Sequence, residues 1–232
     1  EDHVLKIWQG LGYYSRARNL HKTAKIIKQN YSSQFPKKYE NIINLKGIGP
    51  YTAAAISSFA FKLPYAAVDG NVIRFIGRFF GEETPYDTYQ GRKIYQNLAN
   101  MILDKDNSAE HNQAIIEFGA LQCTFRSPNC LNCPFSCSCV AYNTNSIQNL
   151  PVKSKKVQVK DKYIHYLFIQ KSNSILLGKR KVGTWKGLYD LPSIELSSYI
   201  SEEFITKTKQ WKSFFKNKDF HIEFISEEYQ HK

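Results

Sequence analysis

No stretch of these 232 residues approaches the roughly 20 consecutive apolar side chains needed to cross a bilayer, which excludes a membrane-spanning helix. No signal peptide is visible. The chain opens at Glu1-Asp2-His3 without an initiator methionine, so a start further upstream is expected. Acidic residues are in short supply, 20 Asp and Glu against 32 Lys and Arg, for a formal charge of +12 and a pI near 9.4. A basic surface of that size favours a polyanionic partner, and nucleic acid is the expected one; lysine-rich composition by genomic bias is the competing explanation. Cysteine is limited to five. An odd number, with nothing else pointing to secretion, argues against a disulfide framework.

Hydrophobic residues at 42% and aromatics at 14% indicate a folded protein, and the length suits one large or two ordinary domains. Helices are expected on both sides of Gly10-Leu11-Gly12, the second running from Arg16 to Asn30 with Leu20, Ala24, Ile27 and Tyr31 at helical spacing. Further helices are expected over 39–45, 50–61, 68–80, 89–103 and 109–123, with short loops that indicate a compact bundle. The helix over 68–80 reads as amphipathic, with Val72, Phe75, Ile76 and Phe79 on one side and Arg74 and Arg78 on another. From Tyr142 to Asp161 the composition shifts to Asn, Ser, Pro and Lys, which reads as a linker over 143–160. Beyond it, strands are expected over 163–170 and 174–181 around a turn at 171–173, then an aromatic loop and strand over 183–192 and a helix over 202–216.

The centre of the sequence is Leu45-Lys46-Gly47-Ile48-Gly49-Pro50-Tyr51-Thr52-Ala53. Two glycines one residue apart permit a tight turn and close approach to a ligand. Pro50 then starts a helix whose first amides are free to hold a phosphate, with Lys46 placed to assist. Asp69-Gly70-Asn71 follows after an apolar helix. Taken alone, Asp69 reads first as a helix N-cap. Cys123, Cys130, Cys133 and Cys139 occupy a window of seventeen positions, a spacing that converges on one metal centre; zinc and an iron–sulfur cluster both use four thiolates, and spacing does not separate them.

These stretches, with Trp8-Gln9-Gly10-Leu11-Gly12-Tyr13-Tyr14-Ser15-Arg16-Ala17-Arg18, resemble the helix-hairpin-helix and Gly-Pro-Asp signature of the endonuclease III superfamily, and within it the MutY-type adenine DNA glycosylases. The resemblance implies an all-α glycosylase domain over 1–142 with a [4Fe-4S] cluster on Cys123, Cys130, Cys133 and Cys139, then a small α+β Nudix-like domain over 161–232, incomplete at its end. It gives Cys137 no role beyond a free thiol. It makes Asp69 the essential carboxylate that stabilises the sugar cation, with Asn71 orienting it and Tyr51 supporting it. It makes Tyr13 a wedge beside the damaged guanine, and it puts Arg16 and Arg18 near the DNA backbone with Lys46, Gly47 and Gly49.

The implied partner is duplex DNA carrying adenine opposite 8-oxoguanine or guanine, bound by a monomer without a membrane, in a bacterial cytoplasm beside the nucleoid, with a nucleus or organelle as the alternative. Tyr51 stands where strand-cutting relatives have a lysine, which implies a monofunctional glycosylase; a strand-cutting enzyme of the endonuclease III type is the alternative. The family's general-acid glutamate has no match, since neither Glu1 nor Glu40 lies in its motif. The expectation is therefore a chain truncated at both ends, or a non-catalytic DNA-binding fragment. The glutamate-rich helix of Nudix hydrolases is also missing, so pyrophosphate hydrolysis is not expected.

Overall fold

A computed structural model describes residues 1–154, 160–183, 185–196 and 221–231. Two compact units result: Asn19–Lys156, which is helical, and Glu1–Arg18 with Val157–Lys232, which is mixed. The expected helix over 202–216 lies outside the described residues. No helix among the described residues is long and apolar enough to cross a membrane.

The helical unit takes most of α2 (Ser15–Asn30), then α3 (Tyr39–Ile43), α4 (Pro50–Phe61), α5 (Gly70–Phe80), α6 (Tyr89–Ile102), α7 (Ser108–Leu121), a 3-10 turn at Ser136–Ser138, and α8 (Val140–Asn143). Local sequence sets the boundaries. Pro50 occupies the first turn of α4, where its missing N–H costs nothing. Thr88 caps α6 by accepting from the Gly91 amide at 3.0 Å, and α5 runs from an Asp69 cap to Gly81 in the left-handed region. The core gathers Val72, Phe75 and Ile76 of α5 against Tyr95, Ala99 and Leu103. Phe75, Phe79, Phe118 and Phe135 extend it as packed rings with centroids 5.1 to 5.9 Å apart. Burial pushes the Tyr95 phenol up to about 12, so it stays protonated and directs its O–H at the Glu82 carbonyl, 3.3 Å away.

Residues 143–154, the described part of the stretch read as a linker over 143–160, are fastened to the helical unit. The Tyr86 amide donates to the Val152 carbonyl, and the Ser154 amide and hydroxyl both donate to Asp87. On α5, Arg78 is 3% exposed, its guanidinium committed to backbone carbonyls.

In the mixed unit α1 (Asp2–Ile7) buries Leu5. Asp2 pairs with Lys179 at 2.7 Å, and Arg18 donates to the Lys186 carbonyl. Those contacts group the first eighteen residues with the C-terminal segment, a boundary the sequence did not suggest. The sheet is built on β1 (Lys160–Lys171). β6 (His221–His231) runs antiparallel along it from Lys160 to Gln170. A strand has two edges, so β5 (Ser193–Leu196) and β2 (Ser174–Ile175) share the other one. The single strand expected over 174–181 is divided between β2 and β3 (Gly178–Lys179), which pairs separately with β4 (Tyr189–Asp190).

The loop leading to Asp69 is fastened by side chains of α6 and α7. Asn112, 1% exposed, accepts from the Ala67 amide at 3.0 Å and donates to the Tyr65 carbonyl at 2.8 Å. Ser108 donates to the Leu63 carbonyl at 2.9 Å and Gln96 to that of Ala66 at 3.1 Å. Asn112→Ala strands a buried amide and a half-buried carbonyl together. It is expected to cost about 1–3 kcal/mol, read as a fall in the denaturation midpoint; an unchanged midpoint would show that the loop holds without it.

Candidate functional site

In the hairpin between α3 and α4 the two glycines divide the work. Gly47 has φ +84°, and a Cβ there would lie 2.6 Å from the Asn19 side chain of α2. Only glycine fits both the conformation and the contact. Thr23, also on α2, donates to the Lys46 carbonyl at 2.9 Å and fixes the loop from the same side. Gly49 has φ −97°, open to any residue, and a Cβ on it would meet nothing within 4 Å. Its bareness leaves the approach to α4 clear. No side chain caps α4, so its leading amides remain available to an anion. Lys46 is exposed beside them, and Tyr51 follows on the first turn of α4 with 42% of its surface exposed.

Asp69 is the N-cap of α5 and is also oriented by Asn71. Its Oδ1 accepts from the Asn71 and Val72 amides at 2.8 and 2.9 Å, and its Oδ2 from Asn71 Nδ2 at 3.0 Å. The bland and the functional readings of Asp69 are therefore compatible: the cap is what aims the carboxylate. Asn71 Oδ1 accepts in turn from Arg74 Nη2 at 2.9 Å. Arg74 Nε donates to the Cys123 carbonyl at 2.7 Å, and Nη2 also reaches the Gly119 carbonyl. Side chains thus run from the carboxylate to the backbone of the first cysteine.

Cys123, Cys130, Cys133 and Cys139 line one cavity together with Arg78 and Phe135. Cys137 is exposed and takes no part in that lining. Burial, then the proximity of the other three thiols, pushes the Cys130 thiol up, while Arg78 opposes the shift. Among the described residues no three Cys, His, Asp or Glu side chains are gathered tightly enough to hold a single metal ion. The shared cavity and the mutual influence on Cys130 nevertheless make the four cysteines one group.

Tyr13, Arg16 and Arg18 belong to the mixed unit. Tyr13 is 84% exposed with φ +46°, and the Arg16 guanidinium stands 5.9 Å from its ring centroid and 5.4 Å from that of Trp8. Sequence reasoning did not assign roles to Arg74, Arg78, Asn112, Asn19 or Thr23. A signal existed for the first two: Asn71, Arg74 and Arg78 recur at i, i+3, i+7 on α5, a polar stripe turned toward the cysteine segment.

Residues 1–101 match a family model described as HhH-GPD superfamily base excision DNA repair protein. The chain is 39% identical over 194 residues to an adenine DNA glycosylase of Buchnera aphidicola subsp. Baizongia pistaciae, an alignment covering 82% of this chain and 54% of that protein. It is 34% identical over 210 residues to one of Arabidopsis thaliana, covering 84% and 33%. The chain spans about half the length of the bacterial relatives it matches. Among solved structures it is similar to a thermostable thymine-DNA glycosylase, with TM-score 0.52 and 30% identity over 56% of this chain and 59% of that one. It is also similar to endonuclease III in a non-covalent complex with DNA, with TM-score 0.51 and 27% identity over 59% and 61%.

The two hairpin glycines separate in a stability measurement. Gly47→Ala is expected to lower the midpoint of thermal unfolding, through a left-handed backbone cost of about 1–2 kcal/mol plus the Asn19 clash. Gly49→Ala is expected to leave it unchanged. Equal effects would mean that the loop is not held by α2.

Proposed function

We propose that this chain, whose residues 1–101 match the HhH-GPD superfamily model of base excision DNA repair proteins, is a monofunctional adenine DNA glycosylase acting on adenine opposite 8-oxoguanine or guanine. The observation that carries this reading is the Asp69 carboxylate, fixed by three hydrogen bonds at the head of α5, one loop after an uncapped hairpin helix whose first turn carries Tyr51. The similarity to adenine DNA glycosylases across 82% of the chain supports the choice of base.

Hydrolysis of an N-glycosidic bond leaves positive charge on the sugar as the base departs. An anion fixed in advance stabilises that charge without reorganising when it forms. Asp69 fills this role, with Asn71 holding its Oδ2. Gly49 and the open amides of α4 bind a phosphate, Lys46 adds charge, and Tyr51 lies near the sugar. Tyrosine offers no amine for a Schiff base, so the strand is left uncut. Tyr13 wedges into the stack opposite the extruded base, with Arg16 and Arg18 toward the backbone. The segment over 161–232, read as Nudix-like from the resemblance of its Tyr163-to-Glu195 stretch, recognises the oxidised guanine.

The four cysteines fit a [4Fe-4S] cluster. Arg78 is a buried cation with no carboxylate partner among the described residues, and its Nη1 lies 3.5 Å from Cys123 Sγ. A buried guanidinium without a counter-charge is costly, and an anionic set of four thiolates supplies one. When bound, the cluster rigidifies the 123–139 segment.

The test is adenine release from a duplex with adenine opposite 8-oxoguanine, by this chain and by a version lengthened at both ends. Asp69→Asn is expected to reduce release at least about 10²-fold while mispair affinity stays within a few-fold. Borohydride is expected to trap no covalent complex. A trapped complex would assign the strand-cutting reaction instead, and salt-sensitive binding without release by either form would leave a DNA-binding module.

A further inference from the structure

Arg78 is the most heavily committed side chain in the helical unit. Its Nε donates to the Ile147 and Leu150 carbonyls, both at 3.1 Å. Its Nη1 donates to the Thr124 carbonyl at 2.7 Å and approaches Cys123 Sγ at 3.5 Å, and its Nη2 donates to the Phe125 carbonyl at 2.9 Å. One guanidinium thereby joins the segment just after the first cysteine to the segment just after the last. The residue's own carbonyl accepts from Cys139 Sγ at 3.5 Å, so its backbone meets the fourth cysteine while its side chain meets the first.

Four backbone carbonyls satisfy the hydrogen-bonding geometry of the guanidinium but leave its charge uncompensated. Arginine does not release its proton to escape burial, as a lysine would. The anion must therefore come from the cavity that Arg78 lines with the four cysteines. We infer that Arg78 is a positioning residue for the cluster: it is the fixed counter-charge that sets the cluster's reduction potential, and the clasp that keeps the cysteine segment folded around it. This rests on the four-cysteine cluster reading above.

The charge and the fork of Arg78 act separately. A positive charge and an N–H directed at a ligating sulfur stabilise the more negative, reduced state of a cluster, which raises its potential. Independently, a planar fork bonded to carbonyls on both flanks of the cysteine segment resists the opening through which a cluster would be lost. Lysine retains the first property and loses most of the second; glutamine loses the first and keeps a fraction of the second.

The experiment uses the full chain, purified anaerobically as wild type, Arg78→Lys and Arg78→Gln, with Arg126→Ala as a control at an exposed arginine of the same segment. The potential is read by protein-film voltammetry, and retention by the decay of the visible charge-transfer absorption in excess chelator. Arg78→Gln is expected to shift the couple to more negative potential and to shorten retention at least tenfold. Arg78→Lys is expected to stay near the wild-type potential yet also lose its cluster faster. Arg126→Ala is expected to change neither.

Wild-type potential and retention in Arg78→Gln would overturn the proposal. Should that variant fail to fold, wild-type retention in Arg78→Lys would overturn it equally, because the fork would then be dispensable. A wild-type protein purified with iron and sulfide in the medium that shows no visible band would overturn the cluster reading itself. That failure is distinct from a loaded protein indifferent to Arg78.

Discussion

The site depends on the close approach of α5 and α7. A Cβ on Gly119 of α7 would lie 2.6 Å from the Asn71 carbonyl, so the two helices pack with backbone against backbone at the first turn of α5. That proximity puts the C-terminal end of α7, with Cys123 two residues beyond it, within reach of Arg74. It also lets Asn112, at the other end of the same face, hold the loop that delivers Asp69. With a larger residue at 119 the carboxylate, the arginine bridge and the cysteine segment could not share one short stretch of helix.

Much of the helical unit was legible because its signals are local. Pro50 at a helix start, Asp-Gly-Asn before an apolar periodic run, and Gly81 after it each name a boundary by backbone chemistry, and those boundaries fall within one or two residues of the expected ones. The roles of Arg74 and Arg78 were not legible, because a basic residue on an amphipathic helix is solvated in most contexts. What buries these two is a segment about fifty residues away whose free carbonyls need donors. The contacts of residues 143–154 were hidden for the same reason. A polar, proline-containing stretch shows no partner for its backbone in its own composition, and the partners here are Arg78 and Asp87.

The glycines carry a similar lesson. Sequence alone presents Gly47 and Gly49 as equivalent members of one motif. The structure distinguishes a glycine required by its own backbone and by Asn19 from one at which an added Cβ would meet nothing within 4 Å. The unit boundary after Arg18 had no sequence signal either, since it comes from contacts of residues 2, 5 and 18 with residues beyond 178.

Tyr13 has a consequence for kinetics. Its left-handed backbone and its solvent-facing ring, with the Arg16 guanidinium at 5.9 Å, are present before any ligand arrives. The conformational cost of presenting an aromatic edge outward is thus met when the chain folds, not at each encounter. On the proposed reading of Tyr13 as a wedge, each insertion would begin from the extended ring and end without a slow local rearrangement.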